Sequence, residues 1–406
     1  MTANNKNIDK QGKKLLNVPN LRFPEFEGEW EKDRIRNLFT INVGGDIDKK
    51  NVSETQTDKY PYPIIANALS NDGIYGYTSI YKDSAPCITV TGRGDIGSAK
   101  FRNYPLYPIV RLLVLHSNGK IDCCFGEYAI NHIRKYEEST GVPQLTSPQL
   151  GAYSICYPSF EEQIKIGDFL NLIDKRIATQ NRIIEELKGK KKFMLEQLFC
   201  LPKEHTPKLR LKGMDGEWHK VRLYDIAERV TERNKNNTCN RILTIAAQYG
   251  LIDQQEFFNK QIASSNLTTY YLLHKGDYAY NKSYSGDYPW GAVKRLDNYN
   301  EGVLSSLYVC FRPNNNVDSD FLCHYFESTK WYRGISEISG EGARNHGLLN
   351  ISVDDYFNTL HRIPAIEEQR QIAQILNSIT YKIKIEESIL DKLQKQKTYL
   401  LKEMFV

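Results

Sequence analysis

No run of about 18 apolar residues, the length a membrane-spanning helix needs, occurs in the sequence; the stretch Ile109–Leu115 is short and is interrupted by Arg111. The first residues, Met1 to Lys14, are polar and lysine-rich and have no apolar region of the kind a secretory leader carries, which predicts a cytoplasmic location. None of the eight cysteines (Cys87, Cys123, Cys124, Cys156, Cys200, Cys239, Cys310, Cys323) lies in a C-x-x-C pair, so the expectation is reduced, mostly buried thiols rather than a disulfide framework or a zinc site. The eight histidines are dispersed without ligand spacing, and no metal site is predicted. An excess of charge of one sign is lacking too: a net +5 over 406 residues permits an anionic partner without demanding one. What is there, 40% apolar and 25% charged residues, suits a globular chain of two or three domains.

Catalytic signatures are missing too. Gly92-Arg93-Gly94-Asp95-Ile96-Gly97 matches G-x-G-x-x-G, but a dinucleotide loop must open a helix, and Ser98–Arg102 reads as a second strand. The stretch is therefore predicted to be a hairpin turn, and it lacks the Lys-Ser/Thr of a P-loop. Glu186-Leu187-Lys188 imitates a nuclease E-x-K element, yet Leu187 belongs to an apolar helix seam. No N-P-P-Y-like element or methyl-donor glycine loop occurs, so base methylation by this chain alone is excluded, and the chain is read as non-catalytic with no cofactor of its own.

The strongest positive signal is internal duplication. Pro19-x-Leu21-Arg22 with Gly28-Glu29-Trp30 recurs as Pro207-x-Leu209-Arg210 with Gly216-Glu217-Trp218. Ile121-Asp122-x-x-Phe125 recurs as Val317-Asp318-x-x-Phe321, and Pro158-x-x-Glu161-Glu162-Gln163 as Pro364-x-x-Glu367-Glu368-Gln369. The order is kept while the spacing grows, the mark of duplication followed by insertion in the second copy. Each third landmark opens a helix: Ser159 and Glu162 read as a capping box, weakened in the second copy by Ala365. Behind it runs a 4,3-spaced apolar seam, Ile166, Leu170, Ile173, Ile177, Ile184 and Leu187, repeated as Ile372, Leu376, Ile379, Ile383, Leu390 and Leu393. Gln180 with Glu386, and Lys191 with Lys397, put polar residues at matching seam positions, as register-fixing residues, solvated ends or docking points. Each helix spans about 40 residues, roughly 60 Å at 1.5 Å per residue. Two seams in one chain predict that the helices pack on each other, antiparallel. Pro202 is expected to end the first.

Between landmarks the copies share almost nothing. Residues 40–145 and 228–350 hold short β-branched and aromatic runs (Pro86–Thr91, Arg111–Leu115, Arg241–Ala247, Ser305–Phe311) and two short helices (Phe125–His132, Asp320–Glu327). Amides, hydroxyls, aromatics and cations gather in their loops as candidate DNA contacts, able to meet base edges or phosphates. In the first copy these are Asn67, Ser70, Asn71, Tyr75, Tyr77, Thr91, Arg93, Lys100 and Arg102. In the second they are Gln248, Tyr249, Asn281, Lys282, Ser283, Tyr284, Ser285, Tyr288, Trp290, Lys294, Arg344, Asn345 and His346. Ordinary polar turns are the alternative for such residues. The lysine run Lys188, Lys190, Lys191 and Lys192 reads either as a solvated face or as a site.

The duplicated Pro-x-Leu-Arg and Gly-x-Trp elements, the Pro-x-x-Glu-Glu-Gln helix starts and the lysine-rich helices behind them resemble the specificity (S) subunit of type I restriction–modification systems, over all but the N-terminal tail. The resemblance implies an α+β fold: two mixed α/β target-recognition domains separated by two long helices packed as an antiparallel coiled coil, in a pseudo-two-fold repeat. It divides the chain into a polar tail (1–17), recognition domain 1 (18–157), spacer helix 1 (158–200), recognition domain 2 (201–362) and spacer helix 2 (363–406). It further implies that each domain reads one half of an asymmetric, interrupted site in double-stranded DNA. Two methyltransferase (M) subunits would methylate adenine N6 with S-adenosylmethionine, and restriction/translocase (R) subunits would act with ATP and Mg, these cofactors residing on the partners. A stand-alone DNA-binding regulator and a coiled-coil interaction scaffold are the rival readings.

Overall fold

The computed structural model describes residues 17–133, 144–246, 250–258, 267–283, 285–339 and 348–406. Its contacts divide the chain into two units, residues 1–181 with 388–406, and residues 182–387. Among the described residues no helix is long and apolar enough to cross a membrane, and no cluster of His, Cys, Asp and Glu could hold a metal ion. All eight cysteines are free thiols, and burial pushes Cys87, Cys124, Cys200 and Cys310 up to about 12.

In the first unit Phe39–Val43, Leu113–Ser117, Cys87–Val90 and Ala99–Arg102 form, in that order, an antiparallel sheet. Alternation along the strands sends successive side chains to opposite faces. Ile88, Val90, Leu113 and Leu115 join the core shared with helix Cys123–His132, whereas Cys87 and Val114 join Ile65 and Leu106 on the other side. A second sheet, Ile74–Thr78, Tyr62–Ile65 and Tyr107–Pro108, carries the loops considered below. The second unit lays Ala227–Arg229, Val309–Pro313, Tyr278–Asn281 and Ala292–Arg295 in the same order, with helix Ser319–Glu327 packed on the last strand. One sheet plan therefore underlies two stretches whose sequences share almost nothing between the landmarks. The β-rich runs of the sequence become strands shifted by one to four residues. Arg111 is the clearest departure: it lies in a turn, and its strand begins at Leu113.

The repeated landmarks converge on one latch per unit. In the first, Arg22 donates to Glu162 through Nε (2.8 Å) and Nη2 (2.6 Å), and to the backbone oxygens of Gly28 and Glu27. Gln163 accepts from Asp122 N at 2.9 Å and donates to the Pro158 oxygen at 2.9 Å, while Asp122 caps its helix by accepting from Phe125 N. The second unit repeats each bond: Arg210 holds Glu368 and the Gly216 and Asp215 oxygens, Gln369 accepts from Asp318 N at 2.8 Å and donates to Pro364, and Asp318 caps Phe321. The capping box is thus half formed. Ser159 Oγ accepts from Glu162 N at 3.4 Å, but the Glu162 carboxylate is turned to Arg22, a stronger charge-assisted partner, instead of back to the cap.

Two long helices, Phe160–Leu198 and Ile366–Met404, leave these latches, the first stopping four residues before Pro202. In the first unit the start of one meets the end of the other. Ile166, Leu170 and Ile173 share a core with Leu400, Met404 and Phe405, and Lys397 pairs with Asp174 at 2.5 Å, an antiparallel arrangement. Taken by itself, the second unit has the same pattern, with Leu195, Leu198 and Phe199 beside Ile372 and Leu376, and Lys188 on Glu387 at 2.8 Å. Of the predicted seam, Ile166, Leu170, Ile173, Ile184, Ile372, Leu376 and Ile383 are buried and Ile177, Leu187, Ile379, Leu390 and Leu393 half-buried. The aromatic tip of each helix completes a core: Trp30 meets Phe125 and Phe405 edge-on, and Trp218 meets Phe321 and Phe199 likewise. Phe199 and Phe405 stand at the same shift as Pro158 and Pro364, a repeat that sequence reading passed over.

Candidate nucleic-acid interface

Three loops of the first unit meet at Asn67. Its Nδ2 donates to the Val110 oxygen at 2.5 Å and its Oδ1 accepts from Gly92 N at 2.7 Å. Val110 and Arg111 both lie in the left-handed region, φ 52° and 60°. For a β-branched residue this is strained backbone, tolerated only where the surroundings over-determine it. Here Val110 N and Arg111 N donate to the Gly45 and Gly44 oxygens (3.0 and 2.9 Å), and a Cβ on Gly44 would strike the Pro108 backbone at 2.8 Å. The strained tip projects the Arg111 side chain into solvent with no partner among the described residues. Sequence reading used Arg111 only to break an apolar run, although a lone arginine inside Ile109–Leu115 was itself a signal.

The predicted contacts of this unit separate by exposure. Ser70 and Asn71 are exposed on the loop that includes the left-handed residues Asn71 and Asp72, and Tyr75 is exposed on the strand that follows it. Tyr77 is half-buried in its strand; Arg93 is half-buried, with Nη2 on Gln144 Oε1 at 3.3 Å. Lys100 is exposed and paired with Asp72. Three others are engaged in the fold. Asn67 ties the loops, as described. Thr91 is buried, donating to the Asp95 oxygen and accepting from Ser98 N at 2.9 Å, which closes the hairpin expected for the glycine-rich stretch. Arg102 is 4% exposed, its guanidinium divided among Asp72 Oδ2 (2.6 Å), Tyr104 OH and Thr89 Oγ1, so it shapes the loop and offers nothing outward. Partial burial opposes ionisation of Asp72, yet Lys100 and Arg102 hold its carboxyl below the usual range.

In the second unit Gln248, Tyr249, Tyr284, Arg344, Asn345 and His346 lie outside the described residues. Asn281 accepts from Ser283 N at 2.9 Å, and Lys282 donates to the Ile351 oxygen at 3.3 Å, tying this loop to Leu349–Ile351. Ser285 and Tyr288 exchange backbone bonds in a turn, leaving Ser283 and Ser285 exposed. Trp290 packs against the core and its oxygen accepts from Tyr280 OH at 2.9 Å. Gly291 follows at φ 80°, where a Cβ would overlap the Asn281 oxygen at 2.2 Å. Lys294 lines a cleft against the first long helix.

Duplicated latches and sheets under unlike loops define a class: a carrier that presents two different polar surfaces from one repeated frame. Residues 27–189 match the family model described as type I restriction modification DNA specificity domain. A Mycoplasma pneumoniae protein named as a type I specificity subunit is 29% identical over 182 residues, 44% of this chain and 49% of that protein. A type I restriction enzyme specificity subunit of Methanocaldococcus jannaschii is 23% identical over 288 residues, 66% of this chain and 65% of its own. The chain thus spans about half the length of the first relative and under two thirds of the second. The crystal structure of a type I restriction–modification S subunit from M. genitalium superposes with a TM-score of 0.63 at 17% identity, over 96% of this chain and 99% of that one. Residues 27–189 are thus similar to the DNA specificity domain of type I restriction–modification systems, and the fold of the chain is similar to that of an S subunit.

Proposed function

We propose that this chain is the non-catalytic DNA-reading subunit of a type I restriction–modification complex. Each unit reads one half of an asymmetric, interrupted site in double-stranded DNA. Two methyltransferase subunits, carrying S-adenosylmethionine, methylate adenine N6 where the chain directs them, and ATP-dependent restriction subunits share the same targeting. The observation that carries the reading is the contrast between what the units repeat and what they do not: the same latch and sheet order, but loops of unlike sequence. A protein reading a palindrome needs like loops, and a pure scaffold needs no such loops. Ser70, Asn71, Tyr75, Arg93 and Arg111 are the proposed contacts of the first unit, and Ser283, Ser285, Tyr288 and Lys294 those of the second. Helix length sets the number of unread base pairs, as half-site spacing follows reader spacing. The test is to express the chain with its cognate methyltransferase subunits in a host lacking adenine methylation and to map N6-methyladenine across the genome. A split, non-palindromic motif is expected; an assembled complex that adds no methylation would refute the reading.

A further inference from the structure

The lysine run at Lys188–Lys192 does not face open solvent throughout. Lys188, Lys191 and Lys192 form one wall of a cleft of about 260 Å³ in the second unit. Opposite stands the strand Ala292–Arg295, where Gly291 and Ala292 are too small to fill the space, and Lys294 reaches in from the sheet. Tyr288 and Tyr332 supply aromatic walls. Four lysines and a single carboxylate, Glu327, therefore line the cleft.

That carboxylate is already occupied. Lys191 Nζ lies 2.8 Å and His324 Nδ1 3.0 Å from Glu327 Oε2. Burial opposes its ionisation, but the His324 bond and the Lys191 charge bring its pKa down to about 2. Lys188 is matched by Glu387. Lys192 and Lys294 have no hydrogen-bond or ion-pair partner among the described residues. Lys294 is half-buried, and desolvation lowers its pKa although Glu327 lies near. A cation withdrawn from water is costly until an anion meets it. A volume just under the ~300 Å³ at which small-molecule sites begin suits a small anion such as a phosphate with its ester arm.

The first unit has no equivalent. At the shift that relates the two helices, Lys188 and Lys192 become Gln394 and Thr398, and Lys397, the match of Lys191, is held by Asp174. Lys294 faces Ala279 across its hairpin; the matching residue, Phe101, faces Ile88.

We propose that this cleft is a phosphate-ester subsite of the second unit, with Lys192 and Lys294 as its ligands and Tyr288 and Tyr332 flanking the ester. Two sources share that chemistry, a duplex DNA backbone and a free nucleotide, and the DNA source rests on the function proposed above. The test uses the full-length chain and the variants Lys294→Met, Lys192→Gln and, as a control outside the cleft, Lys395→Gln, each checked for an unchanged melting temperature. Binding of AMP and pyrophosphate is measured by calorimetry, and binding of unrelated duplexes by salt-dependent titration. If the source is free nucleotide, AMP or pyrophosphate binds the parent chain and weakens about tenfold, roughly 1.4 kcal/mol, in both cleft variants but not in the control. If it is the DNA backbone, both cleft variants weaken every duplex alike and lower the salt slope by about 1 each. Unchanged affinity for all probes overturns the subsite, as does an altered methylated motif in Lys294→Met, which would mark a base contact. Failure of the proposed function reads out separately, as absence of any motif with the parent chain.

Discussion

Arg22 and Glu162 are both nearly excluded from water, and each makes bonds that nothing else in the unit replaces. Breaking a buried pair by removing one partner costs about 3–5 kcal/mol, whereas replacing both by apolar groups is often near neutral. Glu162→Ala should accordingly lose that much in denaturant unfolding, and Arg22→Met with Glu162→Leu should lose less than Glu162→Ala alone. His361 gives a pH signature. It is fully buried between Tyr325 OH (3.0 Å) and Thr359 Oγ1 (2.8 Å), and burial lowers its pKa from 6.5 to about 4. Because the folded value lies below the unfolded one, its contribution is complete above 6.5 and is lost as pH falls towards 4, at no more than about 1.4 kcal/mol per pH unit. His361→Gln should flatten stability against pH in that window; an unchanged slope would contradict the assignment. At the strained tip, Val110→Gly should raise the melting temperature, by about 1 kcal/mol of stability at most, since glycine adopts positive φ freely. Arg111→Ala should leave stability alone and, under the function proposed above, relax or weaken one half of the methylated motif only. Why Arg111 and not Arg102 could not be judged from sequence: the carboxylate that claims Arg102 is Asp72, thirty positions away in the chain.

Elements were more legible than contacts. The seam could be traced because helical packing repeats locally, every three or four residues, and each side chain named there is buried or half-buried. Ile173→Asp should therefore destabilise strongly, while its neighbour Leu172, 58% exposed, should accept Asp with little change in melting temperature. The landmarks were legible as a repeat, but not as a latch, because Arg22 meets Glu162, and Asp122 meets Gln163, only through long-range folding. The common sheet was invisible for a related reason. Strand pairing needs only alternation and length, which many sequences satisfy, so two copies can keep the plan and lose all identity. The loops were least legible: which amide is spent on a neighbouring carbonyl, as at Asn67, depends on residues 25 and 43 positions away.

For the whole molecule, the modular expectation is sharp. Under the function proposed above, exchanging residues 40–145 for the corresponding stretch of another type I specificity subunit should change one half of the methylated motif and leave the other, because the latch residues lie outside the exchanged stretch or repeat in the replacement. A change in both halves, read by mapping N6-methyladenine, would show that the units do not act independently.

The aromatic tips of the helices also dictate an order of assembly during synthesis. Residues 182–387 are contiguous, and Phe199 is on hand as soon as its unit emerges from the ribosome. The earlier-made unit must wait: its hydrophobic centre stays open around Trp30 and Phe125 until Phe405 has been made, after all of residues 182–387. The half of the protein translated first is thus the half that matures last. A chain halted at Glu387 should show native protection from proteolysis only in its later portion.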